Sequence, residues 1–400
     1  MNILQVNNYG FVRGGSDQCF IDVSELLIRN GHKVFYLTSA NEKNVVDSTY
    51  AVSGFEVDSP SLADIPKFFY SLDAQRKLRK IIERERPDLA HLHIYYGQVT
   101  SSILATFKKY DIPVVQTLHE YKLLCPVSSM VRNGRSCELC SGGEFWHAAW
   151  YRCKRGSLSR SLISALESYT SDLLGAKHAV DHFMAVSDFV RDKMIEHGLP
   201  EEKITTVHNF VRDEAFVDNE REGKYFLYIG RIEEIKGIRT LIHAMVDMQS
   251  VDLLVVGSGG AREQLEQESR RLNLMNVHFL GFKTGQELKD LIAGAICIVA
   301  PSEWHETFGL VLVESFAHSR PVIASRMGGM TEVVSDGVDG LLFDAGNVDQ
   351  LSDALNWMVS HRQQAVEMGK EGQKKARLRF SADKYYAEFM RVYRKVIGAR

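Results

Sequence analysis

Residues 301–340 read PSEWHETFGLVLVESFAHSRPVIASRMGGMTEVVSDGVDG, and this stretch decides the fold. It follows directly on an apolar run, Ala295-Ile296-Cys297-Ile298-Val299-Ala300. A strand, a Pro-Ser loop and then a glycine opening a helix is how open parallel sheets hold ligands beyond the carboxyl ends of their strands. Within it, Glu306 and Glu314 are separated by seven residues, with Phe308-Gly309-Leu310 between them. Gly309 lets backbone approach a bound group with no side chain in the way. A helix over Phe308–Ala317 would point its first backbone N–H groups at whatever precedes it, which suits a phosphate. Two carboxylates flanking that point suit a sugar on one side and a ribose on the other, because both offer hydroxyls that a carboxylate accepts from. Acids also collect at helix starts because they favour the positive end of the dipole. The strand and loop in front favour the ligand reading.

Working outward, strand and helix patterns alternate along the whole chain. Asn2–Val6, Lys33–Thr38, Leu89–Ile94, Pro113–Leu118, Phe183–Val186 and Ile204–Val207 read as strands, with a helix over Cys19–Arg29 and a basic helix over Lys67–Glu85. A second set begins after the polar segment Arg212–Lys224, the expected linker, with strands at Tyr225–Ile229, Asp252–Val256, Val277–Leu280, Ile296–Ala300, Pro321–Ile323 and Gly340–Phe343. Such alternation predicts α/β domains with parallel sheets covered on both faces. A chain of 400 residues predicts two of them. We expect a Rossmann-like domain over 1–210, a second over 211–381, and a last helix over 382–400 that crosses back to the first, with a ligand cleft between the domains.

The alternation breaks between about Glu120 and Gly156, a loop-like stretch holding Cys125, Cys137, Cys140 and Cys153. One Cys-x-x-Cys pair with two outlying thiols suits a structural zinc held by four thiolates; reduced cytosolic thiols are the other reading. Cys19 and Cys297 lie in apolar periodic segments and read as core. A helix follows the loop, with Leu158, Leu162, Leu166, Tyr169 and Leu173 at helical spacing.

The net charge of −3 gives no reason to expect nucleic acid. No apolar stretch approaches the roughly 20 residues that span a bilayer. Met1-Asn2-Ile3-Leu4-Gln5-Val6 reads as a buried first strand rather than a signal peptide, so the expected location is cytoplasmic. Two basic stretches, Lys67 to Arg86 and Lys122 to Arg160, the second interleaved with Phe145, Trp146, Trp150 and Tyr151, suit peripheral contact with the anionic inner face of a membrane.

Further stretches join the first in a family pattern: Phe226-Leu-Tyr-Ile-Gly230-Arg231-Ile-Glu-Glu-Ile-Lys236-Gly237, Val255-Val-Gly257-Ser-Gly259 and Phe279-Leu-Gly281-Phe282. Near the N-terminus stand Gly14-Gly15, Pro87-Asp-Leu-Ala-His91-Leu-His93 and Thr117-Leu-His119-Glu120. In this order the chain resembles a retaining glycosyltransferase of family 4, with the two-Rossmann-domain GT-B architecture. On the residues alone, Arg231 and Lys236 after a strand suit a diphosphate, which two cations can neutralise as it leaves. The resemblance implies that these two clamp the donor diphosphate without a metal, and that Glu314 accepts from the ribose hydroxyls. It places Glu306 on the donor sugar and the amides of Phe308, Gly309 and Leu310 on the sugar or its phosphate. Phe282 would lie near the base, and His119 would position or polarise the donor sugar or acceptor hydroxyl. Gly14 and Gly15 would bring the first loop close to the diphosphate and acceptor, a plain tight turn being the alternative there. His91 and His93 read as packing or hydrogen bonding on the sheet face. The implied reaction moves a hexose from a UDP- or GDP-sugar to a saccharide acceptor, lipid-linked, in cell-surface polysaccharide synthesis. The rival readings are a sugar-nucleotide epimerase, a phosphorylase that would need a pyridoxal-phosphate lysine, or a non-catalytic sugar-nucleotide-binding subunit. The four-cysteine insertion departs from the commoner family pattern.

Overall fold

The structure, a computed structural model, describes residues 1–54, 64–219 and 222–399. Residues 220 and 221 of the expected linker therefore lie outside the described residues. The chain divides into two compact units. Unit 1 comprises Met1–Met130, Cys137–Val207 and Tyr386–Arg400; unit 2 comprises Val131–Ser136 and His208–Tyr385.

Unit 1 holds a six-stranded, all-parallel sheet: β1 (Asn2–Val6), β2 (Lys33–Leu37), β3 (Leu89–Leu92), β4 (Val114–Leu118), β5 (His182–Ala185) and β6 (Ile204–Thr206), in the order β2-β1-β3-β4-β5-β6. β3, β4 and β5 are buried along their whole length, as expected of strands covered on both faces. The order reverses between β1 and β3, so their carboxyl ends open a crevice. The basic helix expected over Lys67–Glu85 is two helices, Ile65–Phe69 and Leu72–Glu85. Ser71 makes the break: its side chain accepts from the Ala74 N–H at 3.1 Å and caps the second helix. Leu78, Ile81 and Ile82 point inward from that helix, leaving its lysines and arginines on a solvated face.

Unit 2 repeats the plan with β7 (Tyr225–Ile229), β8 (Asp252–Val256), β9 (Val277–Gly281), β10 (Ala295–Ala300), β11 (Val322–Ser325) and β12 (Gly340–Phe343), in the order β9-β8-β7-β10-β11-β12. Its core packs Phe226, Leu253, Val255, Val299 and Ile323 from the sheet against Leu241, Leu265 and Leu355 from the helices. The switch point lies between β7 and β10, whose ends carry the Arg231–Gly237 and Pro301–Gly309 loops. Among the described residues no helix is long and apolar enough to cross a membrane.

Candidate active site

In unit 2 the two loops at the switch point touch. Gly237 has φ 67°, and a Cβ there would lie 1.8 Å from the Pro301 carbonyl oxygen, so only glycine permits this approach. The contact brings Lys236 Nζ to 2.6 Å from Glu306 Oε1, with the two side chains 14% and 15% exposed. Ser302 Oγ donates to the same oxygen at 2.6 Å, and Lys236 Nζ lies 4.9 Å from the Trp304 ring centroid. Burial pushes the Glu306 carboxyl up, but the Lys236 charge and the Lys236 and Ser302 hydrogen bonds outweigh it and hold the group below the ordinary carboxylate range. The result is an ionised carboxylate beside an ammonium at a strand end, able to accept from a sugar hydroxyl while the cation faces phosphate.

Arg231 is 58% exposed and pairs with Glu233 at 3.0 Å, within the loop that the buried Tyr228 steadies by donating its hydroxyl to the Arg231 carbonyl at 2.8 Å. The helix expected from Phe308 begins at Leu310 instead, with Gly309 (φ 90°) as its cap. Phe308 turns into the core, its ring 5.9 Å from His208 and 5.7 Å from Phe380. Glu314 lies one turn into the helix and is half-buried; Phe282, after Gly281, is 63% exposed. The structure thus brings Lys236 and Glu306 together and places Arg231, Gly309, Leu310 and Glu314 on the adjoining loop and helix. Ser302 and Trp304, which hold and cover the pair, were not singled out from sequence. Their position between the strand end and Glu306 was the available signal.

In unit 1, Gly14 is extended (φ −171°, ψ −176°), a conformation any residue adopts, and a Cβ there would meet nothing within 4 Å. A tight turn therefore does not account for it. His119 follows β4 and joins a buried ladder. Tyr393 donates its hydroxyl to His91 Nδ1 at 2.7 Å, and His91 Nε2 donates to Thr117 Oγ1 at 2.7 Å. The Gln5 amide nitrogen faces His91 Nδ1 at 3.4 Å, which turns its carbonyl oxygen to His93 Nε2 at 2.9 Å. His93 Nε2 then carries the proton, so His93 Nδ1 accepts from His119 Nε2 at 2.9 Å. His119 consequently keeps its lone pair on Nδ1. Burial, with the neighbouring ring, holds His91 down at about 3; burial holds His119 at about 4 and, with its two neighbours, His93 well below the usual histidine range. All three are neutral at pH 7. The sheet-face hydrogen bonding expected of His91 and His93 is thus part of a hydrogen-bonded relay whose far end, Tyr393, only the fold reveals. A small cavity beside His119 is lined by Tyr96, Gln116, Glu120 and Lys122.

The six cysteines are free thiols, with Cys19 and Cys297 in the core. Cys140 is the hub of the other four: burial, then Cys125, Cys153 and Cys137 around it, push its thiol up to about 12, while the Ala148 N–H donates to it. The four sulfurs gather without closing to a tetrahedron, since no three of them lie within 4.8 Å of one another.

A cation beside an ionised carboxylate at the switch point of an open parallel sheet stands where such sheets bind ligands, the placement expected of a sugar-nucleotide site. Comparison with known proteins agrees. The family model "Glycosyltransferase Family 4" matches residues 13–215, just over half of the chain, and "Glycosyl transferases group 1" matches residues 211–375. The chain belongs to glycosyltransferase family 4. An uncharacterized glycosyltransferase of Methanocaldococcus jannaschii is 26% identical over 84% of this chain and 84% of its own. The phosphatidyl-myo-inositol mannosyltransferase of Mycolicibacterium smegmatis is 26% identical over 100% of this chain and 95% of its own. Among solved structures, Anabaena HepE in complex with UDP superposes with a TM-score of 0.70 at 20% identity, over 98% of this chain and 99% of its own. Sucrose-phosphate synthase from Thermosynechococcus elongatus gives 0.74 at 18% identity over 100% of both chains. These two likenesses concern the fold.

Proposed function

We propose that this glycosyltransferase moves a hexose from a UDP- or GDP-sugar to a saccharide acceptor carried on lipid, with retention of configuration, in cell-surface polysaccharide synthesis. The observation that carries the donor half is the Lys236–Ser302–Glu306 cluster at the switch point of unit 2. Lys236 and Arg231 neutralise the diphosphate, Glu306 binds the donor sugar, Glu314 the ribose and Phe282 the base. His119 positions or polarises the donor sugar or acceptor hydroxyl. The bond from the anomeric carbon to the phosphate oxygen breaks as the acceptor oxygen attacks from the same face. The leaving diphosphate takes the acceptor's proton and departs as the nucleoside diphosphate. Relatives support the donor class: one is named for mannosyl transfer to phosphatidyl-myo-inositol, and one fold neighbour is held with UDP-glucose. The test is a panel of UDP- and GDP-hexoses scored by thermal shift, then transfer to saccharide acceptors without added divalent cation. One donor is expected to raise the melting temperature and to be consumed only when acceptor is present, with its anomeric configuration kept. Conversion of the donor without acceptor would mark an epimerase instead.

The proposal extends to a structural zinc at Cys125, Cys137, Cys140 and Cys153. It is supported by the gathering of three thiols around Cys140 and by the Ala148 N–H directed at that sulfur, closure onto a metal needing the sulfurs to draw together. Elemental analysis of the purified protein is expected to give one zinc per chain, lost in Cys137→Ser/Cys140→Ser. Metal-free protein with an unchanged melting temperature removes the assignment.

A further inference from the structure

The helix Leu158–Leu173 is amphipathic the wrong way round for a helix packed on its own domain. Its buried residues are Ser161, Ser164, Ala165, Glu167, Ser168 and Ser171. Leu158, Leu162 and Leu166 are 53%, 47% and 47% exposed, Tyr169 is 40% exposed and Leu173 is 87% exposed. At about 100° per residue these five side chains fall within an arc of about 80°. The inward polar face is satisfied internally. Lys122 Nζ pairs with Glu167 at 2.5 Å and donates to Ser168 Oγ at 3.1 Å, Ser161 Oγ accepts from the Lys154 N–H at 2.9 Å, and Ser171 bonds Ser101. The leucine stripe is thus an outward feature fixed by a buried polar network, and an apolar surface of this size on a soluble face marks an interaction site.

The preceding helix, Trp146–Trp150, extends the stripe. It docks beside Tyr169, which accepts from the Trp146 N–H at 3.2 Å, and leaves Trp146 49% and Trp150 73% exposed. Between Trp146 and Leu173 the sequence carries Arg152, Lys154, Arg155 and Arg160 against two acids, Glu167, which is buried, and Asp172, which lies 3.8 Å from Lys177. Arg152, Arg155 and Arg160 are exposed. Leucines in one plane, indoles at their end and arginines alongside match the layered chemistry of an anionic bilayer surface: acyl chains, interface and phosphate headgroups. A second copy of the chain would offer its own arginines to this rim, whereas an anionic headgroup complements them.

We propose that the surface formed by helices Trp146–Trp150 and Leu158–Leu173 docks in the plane of an anionic membrane leaflet, with the leucine stripe immersed and the arginines at the headgroups. The docking does not depend on the identity of donor or acceptor. The test is cosedimentation of the full-length chain with vesicles of phosphatidylcholine alone and with about a third phosphatidylglycerol, in low and high salt. Binding is expected to the anionic vesicles only and to weaken with salt. Leu162→Glu/Leu166→Glu and Arg152→Glu/Arg155→Glu are each expected to lower it at least tenfold, with melting temperature unchanged because the substituted side chains are exposed. Absence of binding, or binding by either variant as strong as that of the unsubstituted chain, overturns the proposal. So does a dimer in light scattering that Leu162→Glu/Leu166→Glu converts to monomer, since a second copy would then cover the stripe.

Discussion

Replacing Lys236 by alanine is expected to lower kcat for transfer by roughly 10²–10³-fold, the cost of removing one preorganised group that meets developing charge. Nucleotide binding should weaken with it, because the cation acts on the diphosphate. The substitution also leaves Glu306 largely buried without its partner 2.6 Å away, which costs about 3–5 kcal/mol of stability. Activity loss must therefore be separated from unfolding. Glu306→Gln keeps the shape of the site and an oxygen for the Ser302 hydroxyl, and should spare UDP or GDP binding while losing transfer. Lys236→Met/Glu306→Gln removes both charges together, and should regain most of the lost melting temperature and none of the activity. Transfer at the normal rate in Lys236→Ala and Glu306→Gln would remove the assigned roles.

Acidification from pH 7 to 5.5 is expected to lower the melting temperature of unit 1 by about 10–20 °C. The cause is four buried histidines held neutral: His91 near 3, His119 and His182 near 4, and His93 well below the ordinary value, burial being the first cause in each. Their folded pKa values lie below the unfolded value of 6.5. The unfolded chain therefore takes up protons that the folded chain refuses, and stability falls as pH drops below about 6.5. Each histidine contributes up to about 1.4 kcal/mol per pH unit below the unfolded value, so acidification to pH 5.5 removes several kcal/mol, a large share of a domain's stability. Glu306 responds in the same direction but in a lower window: its lowered pKa means that its contribution is lost as pH falls through the folded value, further into acid. Unit 1 should thus melt first. Circular dichroism melts across this range test it, and His182→Gln should flatten the slope by about a quarter. A melting temperature constant from pH 7 to 5.5 contradicts the account.

Period and punctuation made most of the fold legible. The strands of unit 2 fall within a residue or two of their expected ends because each is a short, mostly apolar run with glycine or proline at one of its ends. Glu306, Lys236, Arg231 and His119 were legible because they sit at strand ends, where an α/β sheet presents chemistry. Three things were not legible. Periodicity located the apolar stripe of Leu158–Leu173 but not the direction it faces, which depends on Lys122 and Ser101, far away in sequence. The histidine ladder joins residues 5, 91, 93, 117, 119 and 393, a set that only sheet pairing and the return of the last helix assemble. Cysteine spacing told which thiols share a loop, but not how closely their sulfurs approach.

The return of Tyr386–Arg400 to unit 1 has a consequence for synthesis. A growing chain releases everything through Val207 long before residue 393, about 10–40 s earlier at common elongation rates. During that interval the sheet of unit 1 can form, yet His91 lacks the Tyr393 hydroxyl. The inner end of the ladder is completed by a residue that leaves the ribosome only after the whole of unit 2. Vectorial synthesis thereby sets a natural order, in which the nascent chain acquires its settled histidine tier only after unit 2 has emerged.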